Sequence, residues 1–167
     1  MLIRPEVESD HAAVRAVNME AFETAAESKL VDQLRERVST FISLVAEEDE
    51  SIVGHIFFSP VRMPERDDVN MMGLAPMAIR PEFQRKGIGS ALVTRGIDEC
   101  LQIGCEAVVV LGHPQFYSRF GFQSASRFQI TSEYDVPDEY FMAKEIVPDA
   151  LKGVSGVVKY HEAFGGI

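Results

Sequence analysis

The sequence predicts an α+β domain: a mixed, mostly antiparallel sheet flanked by helices. Three observations point to it. "FISLVAEE" and "SIVGHIFFSPV" are two apolar runs joined by an acidic turn at Asp49-Glu50, the pattern of an antiparallel hairpin. "NMMGLAPMAI", a helix-periodic stretch and "EAVVVLG" form a strand–helix–strand unit, whose strands run parallel through a right-handed crossover. The rest of the 167 residues shows no internal repeat, low-complexity segment or linker, so residues 1–167 read as a single domain. A chain of this length buries roughly 70% of its unfolded surface and needs no staples.

The elements follow in order. "MLIRP" is a short first strand closed by Pro5. Ser9 or Asp10 caps a helix, with Val14, Val17, Asn18 and Ala21 on one face. "ESKLVDQLRERV" is a second helix, with Leu30, Leu34 and Val38 in line. After the hairpin and the exposed loop "PERDD", the strand "NMMGLAPMAI" carries Pro76 in its interior. Proline cannot donate to a ladder, so a bulge or an unpaired stretch is expected there. A long helix over 85–103 turns Ile88, Leu92, Val93, Gly96, Ile97 and Cys100 inward, and Gly104 ends it. "EAVVVLG" reads as a strand covered on both faces. "PQFYSRF" is a short helix ended by Gly121. "EYFMAKEIV" and "GVSGVVKY" read as two more strands, antiparallel.

Composition narrows the function classes. The net charge is −10, and the basic residues do not cluster beyond "QRK", which argues against nucleic acid as a partner. No apolar run approaches the ~20 residues that span a membrane. "MLIRPEVESD" lacks the pattern of an export signal, so the expected location is the cytoplasm. Cys100 and Cys105 have no flanking histidines and make no zinc site; no metal is expected, and both read as buried thiols. His55, on one face with Val53 and Phe57, reads as a satisfied core histidine. Glu47, Glu48, Asp49 and Glu50 read as a solvated turn.

The stretch "PEFQRKGIGSAL" carries the chemistry. Glycine is a poor helix former, yet Gly87 and Gly89 stand where the long helix begins, behind Arg85 and Lys86. A helix N-terminus offers free amides and partial positive charge, and absent Cβ atoms let an anion approach them. Gln84, Arg85, Lys86, Gly87 and Gly89 thus form a candidate diphosphate loop. It is not a Walker A loop, and Leu92 occupies the place of the third glycine of a dinucleotide fingerprint. The competing reading is a glycine pair that lets the helix pack close to the sheet.

"LAPMAIRPEFQRKGIGSAL", followed by "YSRFGF", resembles the GNAT superfamily of acyl-CoA-dependent N-acyltransferases. Gln84, Gly87 and Gly89 match its Gln/Arg-x-x-Gly-x-Gly/Ala hallmark, and Tyr117 stands four residues before the matching Gly121-Phe122 pair. "PMAIRPEFQRKGIG…VVVLGHPQFYSRFGF" is most similar to the YhbS-like branch. The resemblance implies a GNAT-type sheet with a central splayed parallel strand pair. It implies acetyl-CoA as cosubstrate, with backbone groups of Met77 and Ile79 on thioester and pantetheine and the amides of residues 85–90 on the pyrophosphate. It implies Met77 N–H as the oxyanion donor and Tyr117 as the acid for the departing thiolate. The base stays open between Glu23, Glu27, His113 and water. "GHP" at 112–114 departs from the asparagine segment of other branches, so that asparagine's role is not carried over. The resemblance also makes homodimers common, without naming an interface. The expected function is transfer of an acetyl group to an amine, be it a small amine, amino acid, antibiotic or protein N-terminus. The rivals are an acyl-CoA-binding sensor without transfer and a nucleotide-binding domain using the same loop.

Overall fold

The computed structural model describes residues 1–166. Its strands are β1 (Leu2–Pro5), β2 (Ile42–Glu48), β3 (Ser51–Val61), β4 (Met71–Ile79), β5 (Ala107–Leu111), β6 (Gln123–Ser124), β7 (Ile130–Ser132), β8 (Phe141–Glu145) and β9 (Gly156–Val158). Its α-helices are α1 (His11–Phe22), α2 (Ala26–Arg37), α3 (Ile88–Gln102) and α4 (Pro114–Tyr117). Seven strands form a mixed sheet in the order β1-β2-β3-β4-β5-β8-β6, and β7 and β9 form a second, two-stranded sheet. β4 and β5 are the parallel pair of the main sheet.

By its contacts the chain divides into two compact units. The first holds Met1–Ser59, Ala75–Gly96 and the segment from Glu162. The hairpin is as expected: β2 and β3 pair antiparallel, and the Asp49-Glu50 turn has φ of 49° and 65°. Two positive φ values suit the right-handed twist of a tight hairpin. Alternation sorts β3 into two faces. Phe58 meets α3: a Cβ on Gly96 would lie 2.3 Å from its Cε1. His55 faces α1 instead, its Nδ1 3.2 Å from Asn18 Nδ2. Arg35 of α2 pairs with Glu6, and both side chains are nearly buried.

Asp10 departs from the expected cap. It lies in the α region and makes no side-chain cap to α1. Its carboxylate turns back, accepting from Val7 N–H at 2.8 Å and from Arg4 at 2.7 Å. Arg4 holds that carboxyl below the usual range of an aspartic acid. Nor is the acidic run only a solvated turn: Glu47 accepts from Arg4 at 3.0 Å and Glu48 lies 3.6 Å from the amino terminus.

The second unit holds Pro60–Leu74 and Ile97–His161. The parallel register runs Met71↔Ala107, Met72↔Val108 and Gly73↔Val109. β8 pairs antiparallel with β5 from Glu145 to Phe141, as its apolar pattern suggests. The tail corrects the expectation of a second antiparallel strand. β9 pairs parallel with β7, in the register Ile130↔Gly156 to Ser132↔Val158. Strands of two and three residues, such as β6 and β7, are too short to show a period. Tyr160 packs over Gly73, where a Cβ would lie 2.9 Å from its ring.

Candidate functional site

The turn between β4 and α3 is built by backbone and side chain together. Pro76 lies inside β4, with a cis bond to Ala75. Exposure alternates there: Pro76 and Ala78 are buried, while Met77 and Ile79 are half-buried. Arg80 clamps the strand's end. Its N–H donates to Val53 O at 2.9 Å, its Nε to Ile52 O at 2.9 Å, and its Nη1 to Glu20 at 2.6 Å. Pro81–Phe83 form one 3-10 turn. The Gln84 side chain then reaches back and donates to Ile79 O at 3.0 Å.

The long helix starts later than the sequence pattern suggests, at Ile88 rather than Arg85. Residues 84–87 are an exposed turn in which Arg85 has φ 62° and Gly87 φ 85°. Gly87 is therefore explained by conformation: a Cβ there meets nothing within 4 Å, but its φ lies where L-residues are strained. The first helical bond runs from Ala91 N–H to Gly87 O at 3.1 Å. The amides of Ile88 and Gly89 precede it, in the first turn of the helix. Ile88 is buried and anchors this end: a Cβ on Gly54 would lie 3.2 Å from it and 3.0 Å from Ile79. Arg85 and Lys86 are exposed, and Lys86 Nζ sits 5.4 Å from the centre of the Phe83 ring. The partial positive charge of the helix start and two exposed cations suit a diphosphate.

One stretch of the first unit thus brings together Met77, Ile79 and residues 84–90. Residues 11–122 match the family model described as the Acetyltransferase (GNAT) family. The chain belongs to the GNAT family. It is 38% identical over 165 residues to the uncharacterized N-acetyltransferase YhbS of Escherichia coli strain K12, covering 98% of each chain. The crystal structure of E. coli YhbS in complex with CoA matches with a TM-score of 0.92 at 37% identity, covering 98% of this chain and 91% of that one. A GNAT family acetyltransferase from Brucella melitensis in complex with acetyl-CoA matches with a TM-score of 0.80 at 34% identity, covering 98% and 97%.

The GNAT match extends through Phe122 and so includes Tyr117, in the second unit. His113 precedes α4 in extended conformation, and its carbonyl accepts from Phe116 and Tyr117 N–H at 3.1 Å. Tyr117 is 8% exposed and lies edge-on to Phe116 and Phe122, with ring centres 4.9 and 5.6 Å apart. Burial pushes its phenol up to about 12. Gly112, read in the sequence only as part of a strand end, seats this ring: a Cβ there would lie 2.4 Å from Tyr117 Cε2, so only glycine leaves the ring its place. The signal was a glycine at the end of a buried strand, five residues before an aromatic.

The three side chains weighed as bases in this GNAT chain differ in setting. Glu23 is exposed and ends α1 at φ 60°. Glu27 is half-buried and accepts from Thr24 Oγ1 at 3.2 Å. His113 is exposed and lies edge-on to Tyr140, with ring centres 6.4 Å apart. His55 is the expected core histidine. It is fully buried, its Nδ1 meets Asn18, and its Nε2 lies 2.9 Å from Ser43 Oγ. Asn18 Nδ2 donates to Nδ1, so Nε2 carries the proton, and burial pulls the ring down to about 4. Among the described residues, no group of three or more His, Cys, Asp or Glu is placed to hold a metal ion. No helix among them is long and apolar enough to cross a membrane.

Proposed function

We propose that this chain is an N-acetyltransferase that moves an acetyl group from acetyl-CoA to a primary amine by direct transfer. The observation that carries the reading is the α3 entry: Arg85 and Gly87 at positive φ, two exposed cations, and Gly89 in the first helical turn. The complexes of E. coli YhbS with CoA and of the Brucella protein with acetyl-CoA support it.

The residues then divide the work. The amides from Arg85 to Ser90 bind the pyrophosphate, with Arg85 and Lys86 adding charge. Gln84 holds the turn through Ile79 O. The backbone of Met77 and Ile79 lines the pantetheine, and Met77 N–H donates to the oxygen that gains charge as the amine attacks the carbonyl. A C–N bond forms and a C–S bond breaks. Tyr117 Oη donates to the leaving sulfur. An ammonium with a pKa near ~10 must lose its proton before attack; substituting Glu23, Glu27 and His113 one at a time separates a side-chain base from water.

The deciding experiment gives the protein acetyl-CoA and a panel of amines, follows free thiol, and identifies products by mass spectrometry. Amine-dependent thiol release with an N-acetyl product is the expected result. Coenzyme binding without release for any amine would make the chain an acyl-CoA sensor. Thermal stabilisation by ATP or NAD but not by coenzyme A would make the loop a nucleotide site.

A further inference from the structure

We infer that Cys100, Cys105 and Met72 form a three-sulfur site for a soft monovalent metal ion, Cu(I), at the C-terminal end of α3. The ligands come from three places: Met72 from β4, Cys100 from the last turn of α3, and Cys105 from the turn before β5. All three belong to the second unit. Cys100 Sγ lies 4.0 Å from Met72 Sδ.

The backbone brings the two cysteines together. Gly104 has φ 87°, its N–H donates to Leu101 O at 3.1 Å, and Cys105 N–H donates to Cys100 O at 3.0 Å. These two bonds define a Schellman motif, whose first and last side chains frequently make contact. Here those side chains belong to Cys100 and Cys105. The Cys105 sulfur also lies 3.1 Å from Ala107 O.

One sulfur–sulfur edge suits a three-coordinate ion. Metal–thiolate bonds of about 2.3 Å place the corners of a trigonal sulfur site about 4.0 Å apart. The Cys100–Met72 separation matches that edge. Two thiols and a thioether are soft donors, the kind that take Cu(I), zinc or iron–sulfur clusters, and iron–sulfur clusters are held by four cysteines. Structural zinc takes four ligands, and no third His, Cys, Asp or Glu joins the pair among the described residues. Binding leaves every oxidation state unchanged; each ligating thiol releases its proton to solvent. The sulfurs are shielded, with Cys100 0%, Cys105 3% and Met72 4% exposed. Leu101 to Gly104, which link the two cysteines, are exposed.

The test is anaerobic titration of the reduced protein with Cu(I) in competition with bicinchoninate. One Cu(I) per chain is expected, with a rise in Tm and X-ray absorption showing three sulfurs at about 2.3 Å. Cys100→Ser and Cys105→Ser each abolish competitive binding. Met72→Leu, which conserves volume, keeps the fold, weakens binding about tenfold and leaves two sulfurs in the absorption spectrum. Failure of folded, reduced wild-type protein to compete for Cu(I) would overturn the site and leave three packed core sulfurs. Equal Cu(I) retention by Met72→Leu with an unchanged sulfur count, or by the folded double serine variant, would overturn it as well.

Discussion

Replacing Tyr117 with phenylalanine removes a single oxygen from the proposed acid. The ring keeps its seat over Gly112 and its edge-on contacts to Phe116 and Phe122, so stability should change by no more than about 1 kcal/mol. The catalytic magnitude follows from burial. The phenol is pushed up to about 12, whereas an unperturbed thiol sits near ~8.5. Complete proton transfer to a thiolate would then run uphill by about 5 kcal/mol, at 1.36 kcal/mol per unit. Tyr117 is thus expected to act as a hydrogen-bond donor to developing charge, with the final proton arriving from the amine or water. Such a bond is worth about 1.5–3 kcal/mol. Tyr117→Phe should therefore slow the chemical step by about 10- to 150-fold, with coenzyme affinity unchanged. The assay is single turnover at saturating acetyl-CoA with an identified amine, from pH 6 to 10. The wild-type rate should rise with pH as the amine deprotonates, with no descending limb from Tyr117, which stays protonated throughout. An unchanged chemical step in the variant would reduce Tyr117 to a packing residue. A wild-type limb falling between pH 8 and 10 and absent in the variant would refute the burial argument.

Three further outcomes follow. Gly89→Val should weaken coenzyme A binding at least tenfold by calorimetry, a loss of about 1.4 kcal/mol or more; unchanged affinity in a folded variant would remove the first turn of α3 from the phosphate site. Gly96→Ala places a Cβ 2.3 Å from Phe58 Cε1 and should cost about 1–3 kcal/mol in urea denaturation; Phe58→Leu in the same chain should recover part of that, and additive losses would show that the contact is not the cause. His55 is pulled from its ordinary value near 6.5 down to about 4, so the unfolded chain binds the extra proton first. Its contribution is whole above pH 6.5 and is lost as pH falls toward 4, about 3 kcal/mol in all; an NMR titration placing His55 above pH 6 would contradict this.

Much of the fold was legible because its signals are local. The β2–β3 hairpin, the crossover helix and the buried strand β5 each declare themselves within ten to twenty residues, through alternation, helical period or an unbroken apolar run. The family was legible for the same reason: Gln84 to Gly89 and Tyr117 to Phe122 are each short stretches, and spacing within them is enough to find them.

What the sequence by itself determined, then, was the order of the main elements, the glycine loop and the family. Tertiary structure decided whatever depends on residues far apart in the chain. Whether Gly87 is needed for space or for φ cannot be read from its neighbours; open surroundings and φ of 85° show that it is conformation. Gly112 stands five residues before Tyr117, but only the packed ring shows what a side chain there would meet. Asp10 looked like a cap until Arg4 and Val7 claimed its carboxylate. β9 became a parallel partner of β7 because three residues are too few to express a period, so pairing is chosen by long-range contact. The same holds for the three sulfurs. Cys100 and Cys105 are close in sequence, but Met72 is 28 residues from Cys100 and reaches it only when β4 and α3 have packed.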